Sequence, residues 1–206
     1  MLASGVAAVR PATNAAAVLR PADIFLTRGT GLFSRLIRFC TRAVGESRTM
    51  VNHVGVVVAG GPLEAAVVVE ALSTVKRHRL WDQYGGSRDE VAVFRPRNLS
   101  AEEIKRVTDA ALDYEGRHYG WVKLLAHLLD WALLGVYLFR RLASMDKYPI
   151  CSWLVAHAFG KISRDFGVDP GAATPDDIWD HIREHPEAYK EIHSPARLSL
   201  RSVGPT

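Results

Sequence analysis

The sequence predicts an α+β fold in which a small antiparallel sheet packs against helices. Three observations point to it. β-Branched runs cluster in the first half of the chain, at Asn52–Ala59, Ala66–Leu72 and Val91–Phe94. Helix caps and helical periodicity cluster in the second half, from Ser100 to Glu184. The two kinds of segment do not alternate, as they would in a parallel α/β sheet. A chain of 206 residues, 48% hydrophobic and 23% charged, can bury a sizeable core. That balance excludes a disordered chain, a collagen-like chain and a multi-span membrane protein. The 26 basic residues against 22 acidic ones leave only +4, too little to point to nucleic acid, and no nucleic-acid partner is expected.

The elements follow in order. Residues 1–20 are alanine-rich, and Arg10-Pro11 cuts the short apolar run Val6–Val9. They read as a loose leader rather than a secretory signal, so the compartment stays open. Asp23–Thr27 is a strand, and Gly29, Thr30 and Gly31 make a turn. Leu32–Ala43 is a helix with Leu32, Phe33, Leu36, Ile37 and Cys40 on one face and Arg35, Arg38 and Arg42 on the other. Asn52–Ala59 (NHVGVVVA) is a strand, Gly60-Gly61-Pro62 a turn, and Ala66–Leu72 (AVVVEAL) its hairpin partner. Val91–Phe94 is a third strand, closed by Arg95-Pro96. Ser100 and Glu103 form a capping box that starts a helix over Ala101–Tyr114.

Gly116–Gly120 breaks that helix, and another spans Trp121–Arg141. Lys123, His127 and Asp130 share one of its faces, and the unbroken run Trp131–Phe139 is too short to cross a bilayer. It reads either as a wide-faced core helix or as an interfacial helix with Trp121, Trp131 and Tyr137 near head groups. Pro149 restarts the chain, and Cys151–Phe166 is helical. Thr174 caps a short helix that has Pro175 at its first position and ends near Glu184. Residues 194–206 read as a tail, leaving 21–193 as a single domain.

Two cysteines, Cys40 and Cys151, make no disulfide framework, and neither stands at zinc-ligand spacing. Cys40 lies on an apolar helix face and reads as core. Cys151 opens a helix, where the positive end of the macrodipole favours a thiolate. A thiolate nucleophile needs a histidine base, and the base needs an orienting acceptor. His53 stands at the edge of one strand. Glu70 interrupts the next, where a carboxylate is costly unless paired. Across a hairpin each explains the other. Ser152 has no histidine–acid arrangement of its own and counts only as a substrate or oxyanion neighbour of the cysteine. His157 is turned to a different face, and His78, His181, His185 and His193 read as solvated. Glu64 falls in a turn. No Walker loop, GxGxxG or HExxH is present, and the reading calls for no cofactor or metal.

Together these segments resemble a known family. Asp23-Ile-Phe-Leu, His53-Val-Gly-Val, Val69-Glu70-Ala71 and Tyr148-Pro-Ile-Cys151-Ser-x-Leu-Val are similar to the circularly permuted branch of the papain-like NlpC superfamily, the YiiX-like hydrolases. Lecithin:retinol acyltransferase-like enzymes are more distant relatives. The resemblance covers Pro21–Phe166 and implies a permuted papain-like fold, with the histidine strand before the cysteine helix. It implies Cys151 as nucleophile, His53 as base and Glu70 as its orienting acid. It implies a substrate or oxyanion role for Tyr148 and aligns Asp23 with the aspartate of the opening strand. Ala22 and Trp153 depart from the glycine and glutamate common at those positions. The expected function is hydrolysis of an amide or ester through an acyl-enzyme, on a peptide or a lipid. A non-catalytic or acyl-transferring module at a membrane surface is the alternative. Arg35, Arg38 and Arg42 would meet an anionic membrane.

Overall fold

The strand with the longest β-branched run, β3 (His53–Ala59), lies inside a six-stranded sheet. The structure is a computed structural model and describes residues 17–29, 50–118, 150–195 and Leu198. The expected helices Leu32–Ala43 and Trp121–Arg141, with Cys40, Arg35, Arg38, Arg42 and Tyr148, lie outside the described residues. The elements run β1 (Val18–Leu19), β2 (Ile24–Arg28), β3, β4 (Gly61–Pro62), β5 (Val67–Ala71) and β6 (Val75–Arg79). Then come α1 (Leu80–Tyr84), β7 (Glu90–Pro96), α2 (Ala101–Leu112), α3 (Cys151–Gly160), α4 (Pro175–Glu184) and β8 (Tyr189–His193).

The sheet order is β6-β5-β3-β2-β7-β8, and every neighbouring pair is antiparallel. This is an α+β fold with its strands mostly before its helices. The β3–β5 hairpin pairs Val56 with Val69, as the two valine runs predict. The capping boxes at Ser100/Glu103 and Thr174/Asp177 both form. Between β3 and β5, Gly61-Pro62 is no plain turn, because it pairs with Val18-Leu19 as a second, two-stranded sheet. Leu19, from the stretch read as a leader, is buried there, and Leu198, from the stretch read as a tail, is buried in the main core. Two edge strands carried no apolar signal. β6 reads VKRHR and β8 reads YKEIH, because an edge strand with one wet face needs few apolar residues.

The two faces of the sheet differ. On one, Ile24, Leu26, Val54, Val56, Val69 and Phe94 pack under α2, α3 and α4. On the other, Phe25, Val57, Val68, Leu80 and Val93 form a smaller cluster. α3 is apolar on every side and packs against β3, β5 and α2, so it is a core helix. It ends at Gly160, short of the expected Phe166. Phe166 instead packs its ring edge-on against Phe159 from the loop that follows. No helix among the described residues is long and apolar enough to cross a membrane.

Candidate active site

Cys151 is the first residue of α3. Its N-cap, Ile150, is extended and supplies no side-chain cap, so the first-turn N–H groups have no capping acceptor from that residue. The backbone N–H groups of Ser152 and of Val54, on β3, are directed at the Cys151 sulfur. His53, the first residue of β3, hydrogen-bonds the same thiol group through its side chain. Its Nε2 is held by Glu70 Oε2, so Nδ1 is the nitrogen left for the sulfur. The cysteine, histidine and glutamate named from sequence thus meet in one place.

Glu70 is fully buried and carries three donors. Besides His53, Tyr84 Oη donates to Oε2 at 2.7 Å, and His78 Nε2 lies 2.7 Å from Oε1. His78 Nδ1 also lies 2.9 Å from the Arg79 carbonyl, which can only accept. With an acceptor on each ring nitrogen, the imidazolium of His78 is favoured and its pKa is raised, chiefly by the bond to Glu70. Sequence placed His78 among solvated histidines and did not mark Tyr84. The alternation of β6 against β5, with His78 opposite Val68, puts its ring on the side of Glu70. That pairing was the missing signal.

Burial alone would push Glu70 up, but His53, His78 and Tyr84 outweigh it and bring its pKa down to about 2. Burial likewise opposes the His53 imidazolium, yet the Cys151 thiolate and the Glu70 carboxylate raise its pKa to about 10. Burial pushes the Cys151 thiol up, and His53 with the two backbone N–H groups brings it below the ordinary thiol range. Tyr84 is pushed up by burial and by Glu70, so it stays a donor. The shifts all favour a thiolate–imidazolium pair standing on an ionised carboxylate.

Neighbouring residues pack around the pair and position it. Gly55, in the His-Val-Gly run, lies under the Phe25 ring, and a Cβ there would fall 2.4 Å from Phe25 Cε1. Phe25 in turn lies 6.4 Å from the His53 ring and 5.9 Å from the Tyr84 ring. The start of α4 ties the two elements together. Ser152 Oγ donates to the Ala173 carbonyl at 2.6 Å. Asp176 Oδ1 accepts from the N–H groups of Met50 and Val51, just before β3, at 2.9 and 3.3 Å.

Two expected site residues give their side chains to other partners. Asp23 lies at the opposite end of β2 from His53. Its backbone bonds Val57, and its buried carboxylate takes Arg95 Nε and Nη2 at 2.8 Å each and the Arg20 N–H at 2.7 Å. Four residues of strand put it about 13 Å from His53, and there it braces β2 against β7 through Arg95. The Ser152 hydroxyl is spent on Ala173, and only its backbone N–H faces the cysteine. Trp153, two residues after Cys151, is buried, edge-on to Tyr114 and stacked on His157 with centroids 4.6 Å apart. Ala22 has φ 67°, a conformation that favours glycine. Among the described residues, no group of three His, Cys, Asp or Glu side chains is arranged to hold a metal ion.

The chain is similar in structure to the crystal structure of the metalloprotein yiiX from Escherichia coli O157:H7 (DUF1105), at 15% identity and a TM-score of 0.49, over 87% of this chain and 91% of that one. No family model matches the chain, and no curated protein matches it.

Proposed function

We propose that this chain is a cysteine-dependent hydrolase of amide or ester bonds, built as a circularly permuted papain-like domain of the NlpC type. The observation that carries the reading is the buried chain of contacts from Cys151 to His53 to Glu70, with the thiol at a helix N-terminus. The order of the three along the chain, histidine and glutamate before cysteine, supports the permuted form.

The chemistry follows from the contacts. The Cys151 thiolate attacks a carbonyl carbon, and the carbonyl oxygen takes the negative charge. The backbone N–H of Cys151, at the start of α3, is the donor that stabilises charge developing there. As the tetrahedral intermediate collapses, the His53 Nδ1 proton goes to the leaving amine or alcohol, and a thioester remains on Cys151. Water then attacks the thioester, giving its proton to Nδ1, and the thiolate leaves. Glu70 stays ionised and holds Nε2–H throughout, so the imidazole keeps one orientation. The substrate is a peptide amide or a fatty-acyl amide or ester.

The test is a pair of variants on a chromogenic ester. Cys151→Ala and His53→Ala each lower kcat/KM by about a thousandfold or more, while Cys40→Ala retains it. Full turnover by Cys151→Ala would remove the nucleophile from the reading.

A further inference from the structure

A pocket of about 260 Å³ opens on the same face of the sheet as His53, lined by Leu63, Leu80, Trp81, Tyr84, Val91 and Pro195. We infer that it holds the far end of an aliphatic acyl chain whose carbonyl is at Cys151. The inference rests on the acyl-transfer reading above and gives it a substrate class.

Three observations place the pocket in that role. First, His53 pairs with Thr27 and Thr27 with Val91, so the three side chains lie in one row on one face. Two strand spacings put Val91 about 10 Å from His53. Second, pocket and site share a wall. Tyr84 lines the pocket and bonds Glu70, and its ring contacts Phe25, which contacts His53. Third, the lining is mainly apolar: its titratable members besides Tyr84 are Asp89, Glu90 (paired with Arg28) and His193, and it contains no lysine or arginine. With no fixed cation in the lining to pair a carboxylate or phosphate, the end that enters is neutral and apolar.

Reach decides the kind of apolar group. A zigzag chain advances about 1.3 Å per carbon, so about eight carbons cover the 10 Å from His53. The side chain of an amino acid next to the scissile carbonyl stops short. Trp81, 44% exposed, forms the rim, and Gly85 fixes it. A Cβ on Gly85 would fall 2.3 to 2.6 Å from indole ring atoms, although its φ of −62° accepts any residue. Gly85→Ala therefore moves the rim without touching Cys151, His53 or Glu70.

The experiment compares p-nitrophenyl acetate, butyrate and octanoate, and measures octanamide binding by calorimetry. Wild type is expected to prefer octanoate over acetate by about tenfold or more in kcat/KM, since each methylene seated adds up to about fourfold. Gly85→Ala and Trp81→Ala bring that ratio to within about twofold and weaken octanamide binding by about tenfold. Val18→Ala, at an exposed valine outside the pocket, keeps both. If the variants retain the octanoate preference, or if a phenylalanyl ester outruns octanoate, the pocket assignment is overturned. If no ester is turned over while octanamide binds and Gly85→Ala releases it, the pocket stands and the hydrolase reading falls. Absence of octanamide binding overturns the pocket.

Discussion

A carboxylate buried at Glu70 would be among the most costly residues in this fold if it stood alone. Its three donors reverse that cost, and its charge in turn holds His53 as an imidazolium. The expected consequence is a wide pH range for the thiolate–imidazolium pair. Iodoacetamide alkylation of Cys151 should rise with pH well below the ordinary thiol range, because the thiol pKa is lowered. Ester turnover should share that acidic limb and fall again near pH 10, where His53 loses its proton. A basic limb near pH 6.5 would show that the charged partners do not act on His53. Glu70→Gln keeps the size of the side chain but removes the charge. It should lower the His53 pKa, raise that of Cys151 and slow alkylation at pH 6 by about tenfold or more.

At the scale of elements, the site depends on how α3 and β3 are held to each other. The start of α4 does this with two unrelated contacts, Ala173 to Ser152 and Asp176 to the backbone before His53. Asp176→Ala would leave the buried Val51 N–H without that acceptor. Thermal unfolding should show a loss of about 1–3 kcal/mol, and Cys151 alkylation should slow, because β3 is then free to shift against α3. An unchanged alkylation rate would mean that sheet packing alone positions His53. The capped helices α2 and α4 were legible because a capping box is a local signal of a few residues. The end of α3 was not, because the Phe159–Phe166 contact that shapes the following loop is tertiary.

For the whole molecule, charge and burial together set the stability against pH. The folded pKa of Glu70, about 2, lies below its ordinary 4.5. A carboxylate depressed by folding contributes stability that is present above 4.5 and is lost as pH falls towards 2. Denaturant midpoints should therefore drop across that range. Glu70→Gln should flatten the drop while lowering the plateau at pH 7. The same drop in Glu70→Gln would assign the acid sensitivity to other carboxylates.

Sequence by itself determined the α+β class, the β3–β5 hairpin, the two capped helices and the three residues Cys151, His53 and Glu70. Each was written as a local pattern: alternation, a cap, or a charged residue with no business in a valine run. Only the tertiary structure decided the rest. Strand order brought His78 and Tyr84 to Glu70 from β6 and α1, segments with no apolar period to read. Register placed Asp23 at the wrong end of β2 for the site and gave its carboxylate to Arg95 instead. Packing set Trp153 against Tyr114 and His157. A carboxylate in a strand shows that it needs partners, but which donors reach it depends on elements distant in sequence that the sheet brings alongside.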